Sequence, residues 1–422
     1  MSTNPGAKTG PTELSRSRGG QRQSTSPTLS GIEFNRNPSE AYTWLRAHAP
    51  AHKLELTATT WTWLLTRYDD VRAGLQDSRL SKRPAMASPQ WHKVPLGLPA
   101  DLRESLLAQM SNEDGETHLR LRRACAAAFS SGRQRSLNTQ VDTLAGVLID
   151  QLQGQPTADL VADFAYPLSI AAIANLIGIP QQLLHRLSQS AQVIAEGGVP
   201  LATTLAATDE LEAVCAEVLD LHAHHPSEGL TADLLAQIDA GTLSRHEAVA
   251  NLFVMVVAGH ETTTSAIASA ILALLAHPHD KARAHAEPSY LTAVIEETLR
   301  LQAPIQNATW RFVTEPLTLA GQPMNPGDPV LLSLLAANRD PDIFPDPDQF
   351  RPGRTGRHLA FGGGPHVCIG AAMARAHAAT AVSMVLDRLP SLQLAVPESQ
   401  LEWWPNGITR GLTHLPVLID RR

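Results

Sequence analysis

Along most of this chain apolar residues recur every three to four positions, the spacing that gathers them on one stripe of an α-helix. Ala41 to His48 and Tyr68 to Leu75 read as short helices, and helical patterns dominate from His118 to about Ile238. Ser244 and Glu247 form the S-x-x-E pattern of a capping box. It opens a segment free of proline as far as Pro278, about 33 residues or roughly 50 Å of helix. A further helix ends at Leu301, and a last long one spans Ile369 to Leu389. Glu55 to Leu65, with Trp61 and Trp63 two apart, and Trp310 to Leu332, with its Gly and Pro turns, are β-like. Pro84, Pro89, Pro95 and Pro99 exclude a long helix over Lys82–Leu102 and leave a loop of the length that often binds ligands. Asp340 to Arg354 is a proline-rich coil. The expectation is a mainly α chain with a smaller β-rich region.

Residues 1–30 hold Ser, Thr, Gly, Pro and Arg with hardly an apolar side chain, and are expected to form a disordered leader without the apolar stretch of a signal peptide. Residues 31–422 carry no repeat and no low-complexity divider, so one domain is expected there. No stretch reaches 18 uninterrupted apolar residues; Leu252–Ala276 comes nearest, but the polar run Gly259–Ser265 cuts it in half. No membrane anchor is expected, and the location is read as cytoplasmic. The 34 basic and 41 acidic residues leave a net charge of −7, which disfavours nucleic acid as a partner. Cys125, Cys215 and Cys368 are too widely spaced for a CxxC pair, a zinc cluster or a covalent-haem CxxCH site. The core must hold without disulfides, consistent with a reducing compartment.

Three constellations carry chemistry. In Phe361-Gly362-Gly363-Gly364-Pro365-His366-Val367-Cys368-Ile369-Gly370, successive glycines can bring bare backbone against a flat ligand. Cys368 then lies at a helix start whose amides favour a thiolate, and an isolated thiolate suits the axial ligand of a haem iron. The bland alternative is a packing cysteine after a flexible turn. In the middle of the long helix, Ala258-Gly259-His260-Glu261-Thr262 combines a turn of small side chains, leaving room for a ligand, with a carboxylate beside a hydroxyl. The bland alternative is a polar patch at a helix interface; the zinc-protease HExxH pattern fails because Thr264 stands where its second histidine is required. Glu297 and Arg300 share a helix face, and spacing alone makes them an exposed pair worth a few tenths of a kcal/mol.

Over roughly residues 31–422, the order and spacing of these motifs resemble the cytochrome P450 family, the haem-thiolate monooxygenases. The resemblance implies a fold in which haem b (iron protoporphyrin IX) lies between a long central distal helix and a proximal cysteine-loop helix. It makes Cys368 the proximal iron ligand and His366 a propionate partner, with Phe361 packed beside the thiolate and Gly362 in the loop backbone. On the distal side Ala258 borders the haem, Thr262 hydrogen-bonds dioxygen and Glu261 relays protons for O–O cleavage. Glu297 and Arg300 become a buried structural pair completed by Arg354. Arg311 matches the family's propionate arginine, and His118 and Arg122, four apart on one helix, supply further donors to an anion. Of Arg120 and Arg123, at least one is left for a basic docking patch or a solvated face.

Candidate substrate walls by the same resemblance are Ala85–Leu98 with Trp91, then Val254, Val257 and Ala258, then Ile305–Thr309 with Asn307 and Thr309 as polar anchors, and Gly407–Thr409 with Ile408. Trp91 reads equally as a packing residue of its loop. The implied activity is oxidation, by hydroxylation or epoxidation, of a small, mostly apolar molecule in secondary metabolism. Alternatives are oxidative C–C or C–N coupling or ring formation, and a non-catalytic haem sensor, which the acid–alcohol pair disfavours. No GxGxxG follows a strand before a helix, so electrons are expected from a separate ferredoxin and its reductase. A monomer is expected.

Overall fold

The computed structural model describes residues 27–29, 31–56, 60–93, 104–196, 199–225 and 227–419. Most of the expected leader and positions 94–102 of the expected loop lie outside these residues.

The helix Arg245–Ala276 runs through the middle of the molecule. Its 32 residues correspond to about 48 Å at the rise of an α-helix. The expected capping box is present: Ser244 Oγ accepts from Glu247 N, and the Glu247 side chain accepts from Ser244 N. Glu247 also pairs with Arg120 at 2.5 Å, which ties the helix Gly115–Ala126 to this end and commits Arg120 to it. Apolar residues surround the long helix on nearly every face, and it is buried accordingly. It packs against the helices Tyr166–Ile177 and Ala371–Arg388.

Gly259 answers to one of those contacts. A Cβ there would stand 2.6 Å from Ile173 Cδ1. The glycine serves close helix approach, whereas its place beside Ala258 in the sequence suggests that it clears space for a ligand. Ala258 itself is exposed within the mostly buried middle of this helix.

The β-rich region is a five-stranded sheet in the order Ala51–Glu55, Trp61–Leu65, Pro329–Ser333, Asn307–Val313, Leu80–Ser81. Its pairs are antiparallel except Trp61–Leu65 beside Pro329–Ser333. The single β-like stretch expected over Glu55–Leu65 is in fact two strands, with Ala51 opposite Leu65 and Glu55 opposite Trp61. The expected strand at Trp310 begins at Asn307 and carries a bulge between Ala308 and Arg311. The largely helical stretch 118–238 is interrupted by the strand Thr157–Asp159 and a wide turn at Val161–Ala165. Lys82–Lys93 holds only two short 3-10 turns, as its prolines require.

Candidate active site

The cysteine loop is closed by its own backbone, Cys368 N donating to Phe361 O at 3.0 Å. Gly362 and Gly364 sit at φ of +69° and +65°, a region other side chains rarely enter. A Cβ on Gly364 would stand 2.5 Å from Leu75 O, so this glycine lets the loop rest on the helix Tyr68–Gln76. Arg375 lies over the Phe361 ring at 4.3 Å and forms a double hydrogen bond with Glu296, which His358 also approaches at 3.1 Å. No spacing or motif in the sequence marks Glu296, Arg375 and His358. Only their assembly from two helices and a loop reveals them.

Cys368 is exposed, whereas Cys125 and Cys215 are buried. Burial pushes the Cys125 thiol up to about 12 and raises Cys215 as well. Protein surrounding Cys368 raises its thiol too, outweighing the lowering effect of Gly370 N–H, Arg122 and Arg375. The residue is thus exposed while protein around it still disfavours the thiolate. The helix starts at Ala371, with Gly370 as its N-cap. The expected acidification by helix amides is therefore the lesser effect, and deprotonation awaits a coordinated cation.

Beside this loop lies a group of cations around one carboxylate. The His118 and His366 rings are 4.2 Å apart, and His366 Nε2 lies 3.8 Å from Asp114 Oδ1. Burial, with Lys82, Arg311 and His118 nearby, pushes His366 down to about 4. His118 is lowered by burial and by Arg122. Arg311 is buried, is brought down to about 10 by that burial, and its Nε has no hydrogen-bond partner. Arg122 Nη2 donates to Val367 O at 2.8 Å. Burial opposes ionisation of Asp114, but contacts from His366, Ser81 and the Lys82 N–H bring it down to about 2. Among the described residues, Lys82, Arg122, Arg311 and two imidazoles thus gather around Asp114. A flat dianion would give Arg311 Nε an acceptor and relieve the crowded positive charge, while its metal would ionise Cys368. Haem fits these residues.

On the long helix Thr262 Oγ1 donates to Ala258 O at 2.8 Å, leaving its lone pairs as acceptors. Thr263 and Thr264 make the same bond to Gly259 O and His260 O. Glu261 is buried and accepts from Ser265 Oγ at 3.2 Å; burial pushes its carboxyl up to about 7, with Ser265 opposing. His260 is kept neutral, lowered to about 4 by burial.

The Glu297–Arg300 pair is buried, contrary to the surface reading that its spacing alone gives. Arg300 donates twice to Glu297 at 2.8 Å, and Arg354 Nε and Arg351 N donate to the same Oε1 at 3.0 and 2.9 Å. Arg300 and Arg354 also reach the carbonyls of Asn338, Pro345, Asp346, Pro347 and Gln349, and so hold the coil that leads to the cysteine loop.

Among the expected pocket residues, Val254, Val257 and Ile408 are half-buried. Gln306 N donates to Ile408 O and Asn307 Nδ2 to Gly407 O, so two of the expected walls adjoin. Thr309 Oγ1 accepts from Lys82 Nζ at 2.6 Å. Trp91 is buried against Phe312 and Trp310, alternate residues of a strand whose intervening Arg311 projects to the opposite face. The packing reading of Trp91 is the one this contact supports. Positions 94–98 of its loop lie outside the described residues. A surface cleft of about 450 Å³ beside Leu272, Ala276, Leu301 and Phe350 shares no residue with the cysteine loop or its cations.

Comparison with known proteins gives a consistent picture. A family profile described as Cytochrome P450 matches residues 206–408. The chain is 35% identical to cytochrome P450 monooxygenase PikC of Streptomyces venezuelae over 92% of each chain. Among solved structures, it superposes with a TM-score of 0.85 on the tirandamycin C-bound P450 monooxygenase TamI, at 30% identity, covering 92% of this chain and 98% of that one. The TM-score is 0.83 and the identity 29% with CxnD, a P450 for C–S bond formation in chuangxinmycin biosynthesis, covering 93% and 97% of the two chains.

Proposed function

From the premise that this chain belongs to the cytochrome P450 family of haem-iron monooxygenases acting on small organic molecules, we propose that it hydroxylates or epoxidises a neutral, mostly apolar compound, using haem b held by Cys368. The observation that carries this assignment is the exposed thiol in a loop where Arg375 lies over Phe361, beside a cluster of basic side chains in which the buried Arg311 Nε lacks an acceptor. When bound, haem iron supplies activation of dioxygen with two electrons from a redox partner.

The chain's own residues divide the remaining work. Cys368 would hold the haem iron, its position in the loop fixed by the hydrogen bond from its N–H to Phe361 O. Arg311, Arg122, His118 and His366 would hold the carboxylates of the cofactor. Glu261, with its carboxyl near neutrality, carries a proton that it can both give and recover at physiological pH. Thr262 presents oxygen lone pairs fixed by its bond to Ala258 O, and Ala258 leaves space beside them. Val254, Val257, Asn307 and Ile408 border the substrate. Residues 31–422 act as one catalytic domain and a monomer, with a ferredoxin and its reductase as electron source. The likeness to CxnD favours one second reading, oxidative bond formation in place of oxygen insertion.

Dithionite reduction under carbon monoxide tests the assignment: a Soret band near ~450 nm is expected from thiolate-ligated haem, and a band near ~420 nm from freshly folded protein would refute it. Spectral titration with terpenes, macrolides, cyclic dipeptides and aromatic compounds, followed by product mass analysis, then separates the outcomes. A gain of one oxygen atom means insertion; a loss of two hydrogens or a dimer means coupling.

A further inference from the structure

We propose that Lys82 and Asp114 are positioning residues for the carboxylate edge of the haem, acting through Arg311 and His366; this rests on the haem reading above. Lys82 directly follows the edge strand Leu80–Ser81, and only 5% of it is exposed. On the neighbouring strand, Ala308 stands opposite Leu332 and Arg311 opposite Val330, so one extra residue is inserted between them. Such a bulge takes carbonyls out of the ladder and re-aims the side chain that follows. A buried carbonyl left without a donor is costly.

Lys82 meets that need. Its Nζ donates to Thr309 O at 3.0 Å, to Trp310 O at 2.8 Å and to Thr309 Oγ1 at 2.6 Å. An ammonium has three N–H donors, and this tripod uses them all on the two residues that precede Arg311. A planar guanidinium cannot reproduce it. Arg311 is thereby delivered from a pinned backbone, with its Nε still lacking an acceptor. Thr309, which the family resemblance makes a possible substrate anchor, is also a leg of this brace.

Asp114 closes the brace from the other side. It accepts from Lys82 N at 3.1 Å and from Ser81 Oγ at 2.5 Å, and lies 3.8 Å from His366 Nε2 in the cysteine loop. Edge strand, bulge and cysteine loop are therefore linked through two side chains that need not touch the cofactor.

The test follows haem transfer from the holoenzyme to apomyoglobin. Lys82→Met should speed haem loss by about tenfold or more, the usual effect of removing a residue that orients a ligand. Arg311→Ala should do so as well, and adding Lys82→Met to Arg311→Ala should have little further effect, because one acts through the other. An unchanged rate in Lys82→Met, additive effects of the pair, or full rescue by Lys82→Arg would each overturn the proposal. If Lys82→Met fails to yield folded holoenzyme, Thr309→Val removes one leg of the tripod and enters the same cycle. There a small increase absent in the Arg311→Ala background supports the proposal, and an unchanged or additive rate sinks it. Failure of the haem reading is separately visible, since the unsubstituted protein would then show no reduced-carbon-monoxide band near ~450 nm.

Discussion

Two buried glutamates on neighbouring helices are treated in opposite ways. Glu297 is 3% exposed and accepts hydrogen bonds from Arg300, Arg354 and the backbone of Arg351. Glu261 is 6% exposed and accepts a hydrogen bond from the hydroxyl of Ser265. A carboxylate held by two arginines and a backbone N–H is fixed in place, and it organises chain. A carboxyl with a hydroxyl beside it is pushed up to about 7 and can change its proton near neutral pH. Equal burial thus accompanies a structural bolt at one site and, at the other, a carboxyl that we propose carries protons, and the difference lies in the counter-charge.

The comparison is most severely tested at the bolt. Arg300→Ala leaves a buried carboxylate short of its bidentate partner and frees several coil carbonyls; a loss of about 3–5 kcal/mol is expected, read as a fall in urea midpoint. A midpoint close to that of the unsubstituted protein would show that Arg354 alone suffices.

At the carrier the expected sign is reversed. Because the folded carboxyl lies above its ordinary value of 4.5, the stability tied to its neutral form is fully present below about 4.5 and lost as pH rises through about 7. Glu261→Gln has no such loss. It should be up to about 3 kcal/mol more stable than the unsubstituted protein near pH 9, with the gap closing towards pH 4, while product formation falls. Parallel stability curves across this range would remove the carrier argument.

Ser265→Ala is a finer probe. It removes the hydroxyl that holds the Glu261 pKa down, so the pH dependence of coupling should move upward, with a stability cost of about 1 kcal/mol. A profile that stays in place would deny Ser265 its role. The smallest stability effect belongs to Thr262→Ala, which loses a helix back-bond and is expected to stay within about 0.5 kcal/mol. Its consequence should appear instead as electrons diverted from product to peroxide, measured as the ratio of the two. Unchanged coupling would exclude Thr262 from oxygen handling unless a substrate hydroxyl replaces it.

Local patterns are legible in the amino-acid order alone. The capping box at Ser244 and Glu247 is read from three-residue spacing, because both partners lie within one helical turn. The prolines of Lys82–Lys93 exclude a helix whatever surrounds them. Glu261 and Thr262 stand side by side in sequence, and the glycine–cysteine run is continuous. Burial is less accessible. Glu297 and Arg300 have the spacing of an ordinary surface pair, and the coil carbonyls that enclose them arrive from 38 to 49 residues further on. Gly259 reads as space for a ligand, since Ile173 is distant in sequence and meets it only when two helices pack. Trp91 stays open between substrate contact and packing, and Thr309 is placed by resemblance alone, because nothing near them in sequence announces Phe312 and Lys82, which the fold brings against them.

Which residue types could perform the chemistry, and on which local elements they ride, follows from amino-acid order, because turns, caps and neighbouring side chains are set by short spacings. Which charges are paired was settled by packing. It gave Glu297 two arginines and Glu261 a serine, left Cys368 as the one accessible thiol, and set Lys82 under the bulge that presents Arg311. The physical reason is that the energy of a charge depends on the water removed from it and the partners brought to it, and both come from segments far apart in the chain.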